Sequence, residues 1–266
     1  MVEVIICKDA AQVGVTAAAK IARICREAGP EAVIGVATGS SPLATYADLA
    51  RRVKEGSLDL SQAYAFALDE YVGLPKGHPE SYAEVIRRTV TEPLGMSAAR
   101  VNVPDGFATD LEAGAAAYEA AIRAVGGVDV QILGIGSNGH IGFNEPMSSL
   151  GSRTRVKTLT EGTREDNQRF FDSIDQVPVH CVTQGLGTIM DARQVVLVAT
   201  GAGKAEAIAA LIEGPITARV PGSVLQLHRF ATIVIDPEAA ANLEFTDYYR
   251  HTYDNKPAWQ QFEDAE

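Results

Sequence analysis

The chain has 266 residues, with 23 Lys plus Arg against 34 Asp plus Glu and a formal net charge of -11. That length admits one large domain or two small ones and is ample for a buried core. Hydrophobic residues at 46% and charged residues at 21% exclude global disorder, and the acidic balance excludes nonspecific nucleic-acid binding, which needs a basic surface.

Cys7, Cys25 and Cys181 are odd in number, widely spaced and without a CxxC pair. They predict neither a disulfide framework nor a zinc site, and they fit a reducing cytoplasm. The start, MVEVIICKDA, lacks a basic segment followed by a long apolar one, and no run approaches the ~20 apolar residues of a membrane span. The expectation is a soluble cytoplasmic protein with neither membrane nor nucleic acid as partner.

Taken in chain order, residues 4–7 form a first short β-rich apolar run. Val13, Ala17, Ile21 and Ile24 follow with helical spacing. A second run covers 32–37. Ser41 then reads as an N-cap with Pro42 at the first helical position, for a helix passing Tyr46 and Leu49 and stopping near Gly56. The third run is 64–68. Thr109-Asp110-Leu111-Glu112 reads as a capping box opening an alanine-rich helix that ends at Gly126-Gly127. Runs at 128–133, 195–200 and 231–235 complete the strands, with a helix over 205–213 closed by Gly214. Several runs lack polar alternation, as strands buried on both faces do. The expected fold is α/β, an open and mostly parallel Rossmann-like sheet with helices on both faces, built as a single domain over 1–266. The polar stretch from Arg153 to about Asp175 shows no strong strand and reads as a helix-bearing excursion or lid, around 153–182. The tail from Tyr248 has no clear place.

Ligands of open α/β sheets bind beyond the carboxyl ends of the strands, so the strand ends are the places to search. At Ala37-Thr38-Gly39-Ser40-Ser41-Pro42, amides, hydroxyls and a helix start converge, either as a phosphate cradle without a lysine or as an ordinary capped turn. At Leu68-Asp69-Glu70-Tyr71, two carboxylates follow a strand and must face opposite ways. One facing a dry cleft would have a raised pKa and suit general acid-base work; the alternative is a cap. At Gly134-Ile135-Gly136-Ser137-Asn138-Gly139-His140 the glycines match GxGxxG, but the chain continues IGFNEP with no helical pattern. This speaks against a dinucleotide and for close backbone approach to a ligand. His140 and Glu145 lie close enough for the carboxylate to orient the imidazole. Thr200-Gly201-Ala202-Gly203-Lys204 fails the P-loop pattern, which disfavours ATP, though Lys204 at a helix start suits a monophosphate. His78 and Glu80 read as structural, and Cys181 as a buried thiol.

Taken together, ATGSSPLATY, FALDEYVGLPKGHPESY, LGIGSNGHIGFNEPMSSLGSRTRVKTLT, TREDNQRFF and VLQLHRFATIVID resemble the glucosamine-6-phosphate deaminase family from Ala37 to about Asp236. The related 6-phosphogluconolactonases typically carry Arg where this chain has Tyr71, and they lack FNEP. The resemblance implies conversion of glucosamine 6-phosphate and water to fructose 6-phosphate and ammonia, with no metal and no organic cofactor. It implies Asp69 as the base moving a proton from C2 to C1, and His140, oriented by Glu145, assisting ring opening. One branch of the family carries Asp at the position of Asn138, which here would act by hydrogen bonding. Thr38, Gly39, Ser40, Ser41, Arg169 and Lys204 would hold the phosphate, with Arg169 on a lid. Ser148, Arg155 and Lys157 match the site at which some hexameric members bind N-acetylglucosamine 6-phosphate as an activator. A homo-oligomer is implied with it. A lactonase or isomerase on the same fold, and a silent sugar-phosphate sensor, are the competing readings.

Overall fold

The computed structural model describes residues 2–257 and Gln260. Its elements run β1 (Glu3–Ile6), α1 (Ala10–Ala28), β2 (Val33–Val36), α2 (Leu43–Lys54), β3 (Tyr64–Ala67), β4 (Asp69–Tyr71), α3 (Tyr82–Ile86), β5 (Val101–Asn102), α4 (Leu111–Ala124) and β6 (Val130–Leu133). They continue with β7 (Arg155–Thr158), α5 (Glu161–Asn167), β8 (His180–Thr183), α6 (Leu186–Met190), β9 (Gln194–Ala199), α7 (Ala205–Ile212), β10 (Ala231–Ile235) and α8 (Thr246–Asp254).

Seven strands form a parallel sheet in the order β1-β10-β9-β6-β2-β3-β5. Successive residues of a strand face opposite ways, so the apolar runs feed two cores. Ile34, Ile132 and Val196 pack with Ala17, Ile21 and Leu49 of α1 and α2. Leu133 and Leu197 pack on the other face with Tyr118, Ile122, Ile208 and Leu211 of α4 and α7. A fully buried Leu such as Leu49 contributes about 2–3 kcal/mol by leaving water.

Two helix starts differ from the sequence expectation. Pro42, not Ser41, is the N-cap of α2 and makes no side-chain cap. Pro42 already has helical dihedrals, and its carbonyl accepts the first bond of the helix from Tyr46 N at 2.9 Å. Ser41 is thereby left in the wall of a cavity. At α4 the cap is Asp110, whose Oδ1 accepts from Ala113 N at 3.0 Å; Thr109 does not cap it.

The second sheet was not legible in the sequence. Strands β4, β8 and β7 form an antiparallel sheet, so the polar excursion does contain a strand. β7 reads Arg-Val-Lys-Thr and is only half buried, which hides its pattern. Only Leu68 separates β3 from β4: its amide donates to Val36 O in the large sheet, while its carbonyl accepts from Gln184 N, just beyond β8. Asp69 therefore begins where the two sheets meet. The 153–182 segment continues from β7 through α5 and two short 3-10 turns to β8, with Phe171 packed on Tyr71. The tail supplies α8, whose Tyr253 packs onto the core on the α1 and α2 side of the sheet; the expectation's remaining residues lie outside those described.

Candidate active site

From β2 the chain moves outward to β3, and from β6 it moves the other way to β9, so β2 and β6 flank a topological switch point. The turn at 37–41 and the loop at 134–140 leave these two strands side by side, and a Cβ on Gly134 would meet Ser41 Cβ at 3.4 Å. The cavity between them, about 150 Å³, is lined by Thr38, Gly39, Ser40, Ser41, Asp69, His140, Arg169 and Lys204. Eight residues that the sequence scatters across the chain thus share one space.

The structure separates the two carboxylates of the Asp69-Glu70 pair. Glu70 turns away and accepts from Tyr82 N and Ala83 N at 2.8 Å each, anchoring the start of α3. Asp69 faces the cavity and is 5% exposed. Burial pushes its carboxyl up to about 8, the Glu70 charge adds to this, and a hydrogen bond from the Phe143 amide opposes both. A cation brought into the cavity would favour the ionised form, so the group is set to lose its proton as a positively charged ligand arrives.

His140 stands over Gly136, where any Cβ would overlap the imidazole. The glycine is required by the ring of the same loop, a closer demand than the ligand approach expected from the sequence. Behind the ring, Asn138 Oδ1 lies 2.7 Å from His140 Nδ1 and accepts from His140 N at 3.1 Å. Asn138 Nδ2 donates to Glu145 Oε2 at 2.9 Å, and that oxygen is 3.6 Å from His140 Nδ1. Because an amide oxygen only accepts, Nδ1 carries the proton of neutral His140 and Nε2 is left as the acceptor. Asn138 joins the carboxylate to the imidazole by hydrogen bonds. Burial raises the Glu145 carboxyl, but hydrogen bonds from His140, Thr163 and Asn138, with the His140 charge, outweigh it and hold the group at about 2. Glu145 Oε1 also accepts from Thr160 Oγ1 at 3.2 Å, tying the loop to the cap of α5. Asn144 is buried and donates to Ile141 O and Gln184 O at 3.0 and 2.8 Å, which fixes the FNEP bend.

Lys204 and Arg169 line the same cavity. Burial lowers the Lys204 ammonium, the Asp166 charge raises it and Arg169 lowers it. In the turn before Lys204, Gly201 N donates to Asp236 at 3.0 Å and Ala202 N to Glu238 at 3.3 Å. Those amides are already engaged by carboxylates, which removes any P-loop role. The positive element here is the Lys204 side chain itself.

Ser148, Arg155 and Lys157 lie outside this cavity. Arg155 donates to Asn144 Oδ1 at 2.9 Å, which connects it to the residue beside Glu145. Ser148 Oγ is buried and has no hydrogen-bond partner among the described residues. Four cavity residues escaped the sequence reading: Tyr82, Thr163, Asp166 and Asn167. Tyr82 follows the capping Ser81 in the PESY stretch, and the other three stand in the TREDNQRFF stretch, where no pattern singles them out. No group of three or more His, Cys, Asp or Glu among the described residues could hold a metal ion, and no described helix is long and apolar enough to cross a membrane.

Residues 8–234 match the family described as glucosamine-6-phosphate isomerases/6-phosphogluconolactonase. The chain belongs to this family. It is 57% identical to a glucosamine-6-phosphate deaminase of Arthrobacter sp. (strain FB24) over 258 residues, 97% of this chain and 99% of that protein. The solved structure of a monomeric glucosamine-6-phosphate deaminase superposes with a TM-score of 0.87 at 40% identity, over 90% of this chain and 99% of that one. A 6-phosphogluconolactonase from Trypanosoma cruzi shares the fold, with a TM-score of 0.72 at 21% identity over 92% of this chain and 97% of the other. The mostly parallel α/β architecture expected from the sequence is the fold of the family.

Proposed function

We propose that this chain converts glucosamine 6-phosphate and water to fructose 6-phosphate and ammonia. The observation that carries the reading is one cavity holding a buried carboxyl, Asp69, and an imidazole, His140, backed by Asn138 and Glu145, with the Lys204 and Arg169 side chains also in its lining. Thr38, Gly39, Ser40 and Ser41, with Arg169 and Lys204, hold the phosphate, which reconciles an acidic protein with an acidic substrate. His140 moves a proton from the C1 hydroxyl to the ring oxygen, opening the sugar to its aldehyde. The substrate ammonium favours ionised Asp69, which takes the C2 proton while the ammonium gives up one proton to O1, leaving an enolamine. Returning that proton to C1 gives a ketimine; water adds to C2, and ammonia leaves. A lactonase needs no base poised at a carbon acid, whereas Asp69 buried and aimed at the cavity suits one.

The 153–182 segment acts as a lid of the single domain, since Arg169 reaches the cavity from it and its closure would exclude water. N-acetylglucosamine 6-phosphate activates at Ser148, Arg155 and Lys157; the unpartnered Ser148 hydroxyl and the Arg155–Asn144 bond support this. Exposed Leu227, Phe230, Phe245 and Tyr248 support a homo-oligomer, with a hexamer as the activated form. Three buried free thiols suit the cytoplasm, where the reaction serves N-acetylglucosamine catabolism.

The deciding experiment follows ammonia and fructose 6-phosphate from glucosamine 6-phosphate with EDTA present and Asp69→Asn as control. Equal release of both products, lost in the control, is expected. A folded protein that binds the sugar phosphate and releases neither would make it a sensor. Lactone hydrolysis in place of deamination would make it a lactonase. Sedimentation and rate curves with the acetylated sugar phosphate test assembly and activation; a monomer with an unchanged hyperbolic curve removes both.

A further inference from the structure

The end of β3 is held by side chains at a point where the sheet has no donor to offer. The amides of Tyr64 and Leu68 donate to Ala32 O and Val36 O on the β2 side, so even-numbered residues of β3 bond toward β2 and odd-numbered ones toward β5. β5 pairs Val101 with Ala65 and Asn102 with Phe66. Continued, that register would bring residue 104 to the Ala67 carbonyl, and Pro104 has no N–H. Ala67 is 1% exposed, so its carbonyl must be satisfied from within the protein. Gln184 Nε2 donates to it at 2.9 Å and Tyr118 Oη at 2.7 Å. Tyr118 Oη also lies 3.2 Å from Asn102 O and has one proton for both, which leaves Gln184 as the undivided donor. Gln184 holds the next carbonyl as well, its amide donating to Leu68 O at 2.7 Å. Its own carbonyl accepts from Asn144 Nδ2 at 2.8 Å. One buried residue therefore grips both the chain entering Asp69 and the bend entering Glu145. The two meet at Gly142, where a Cβ would lie 3.5 Å from both Asp69 Oδ2 and Asn144 Nδ2.

We propose that Gln184 is a positioning residue for proton transfer by Asp69, with Tyr118 as its support. Its side chain and amide hold the Ala67 and Leu68 carbonyls, its carbonyl holds Asn144, and the Asp69 carboxylate is thereby fixed against the loop that carries His140. The base has two carbons to serve. The C2–H bond breaks with its proton passing to Asp69 and its electron pair to the C1–C2 double bond. The same carboxyl then gives a proton to C1, and that electron pair forms the C1–H bond. One carboxylate must reach both atoms in turn, and a misplacement of about 1 Å costs on the order of a hundredfold. β4 is only three residues long, so the placing of its first residue depends on how the chain enters it. That entry is what Gln184 holds.

The inference rests on the reading of Asp69 as the base, and the test keeps the two apart. Gln184→Met in the full chain keeps the length of the side chain and removes its donor, while the backbone bonds to Leu68 and Asn144 remain. With glucosamine 6-phosphate, kcat should fall on the order of tenfold with KM within about threefold, a split that mere loss of folding would not give. The slowed step should be the proton transfer, so the variant should turn over substrate deuterated at C2 more slowly than the ordinary substrate. Tyr118→Phe keeps the ring packed edge-on against Phe66 at 5.7 Å and removes the shared donor. It should give a smaller loss of the same kind, and it carries the test if Gln184→Met does not fold. A kcat within about twofold of wild type in every folded variant, a loss carried by KM, or a slowed variant indifferent to deuterium at C2 overturns the positioning role. Each of these leaves the base assignment standing while Asp69→Asn is inactive. Turnover by Asp69→Asn at the wild-type rate overturns both.

Discussion

Replacing Asp69 by asparagine removes the charge that burial makes costly while keeping an oxygen able to accept from the Phe143 amide. In the folded protein the carboxyl is raised from the ordinary 3.8 to about 8. Between those values the native state holds a proton that the unfolded chain releases, so this group lowers stability as pH rises from about 4 to about 8 and no further above it. At about 1.4 kcal/mol for each pH unit, the ceiling on that loss is roughly 6 kcal/mol. Local opening of the cavity, which lets water reach the carboxylate, brings the measurable part to about 2–4 kcal/mol. Urea unfolding of both proteins at about pH 5, 6.5 and 8.5 reads this directly. The asparagine variant should match the wild type within about 1 kcal/mol at the lowest pH and exceed it by about 2–4 kcal/mol at the highest. Turnover should fall by about a thousandfold or more at every pH, as loss of a general base does. A stability difference that does not change with pH would refute the burial argument, and retained turnover would refute the base assignment.

Three further perturbations probe the remaining parts of the site. Gly136→Ala forces the His140 ring to move, so kcat should drop by about a hundredfold with little change in affinity for inorganic phosphate; unchanged kcat would show that the ring position is not used. Asn138→Asp places a second carboxylate beside Glu145, at a contact of 2.9 Å, so one of the pair takes up a proton at a pH well above the 2 or so of Glu145 alone. A new acid limb in the kcat profile is expected, and its absence would mean that the loop has moved apart. Lys204→Ala should raise KM for the sugar phosphate by about ten- to a hundredfold and change kcat much less; equal effects on an unphosphorylated amino sugar would place Lys204 elsewhere in the reaction.

The parts of the site that were legible in the sequence share one property: they follow apolar runs. A buried parallel strand announces itself by composition, and its carboxyl end is then a known place to look, which is how Asp69, His140, Lys204 and the Thr38–Ser41 turn come out together. Strands β4 and β7 lack that signal. The first is Asp-Glu-Tyr, held by pairing with β8, and the second is charged and half buried. The cavity residues on α5 were hidden for a related reason. Thr163, Asp166 and Asn167 stand in the polar string TREDN, where no periodicity separates a side chain facing the cavity from one facing water. Their positions follow from contacts remote in sequence: Asn167 with Tyr71, Thr160 with Glu145, and Phe171 with Tyr71. The same contacts explain why the polar segment folds over the site at all. Its own helix is seven residues long, too short to persist alone, and is held by the Tyr71 cluster beneath it and the Glu145 carboxylate at its cap. Tyr71, on β4 with Asp69, and Glu145, behind His140, are therefore also the residues that hold the segment down. Loosening either anchor should disturb the Asp69–His140 cavity and the docking of the segment together, whereas Lys204, carried at the start of α7, can be removed with both anchors still in place.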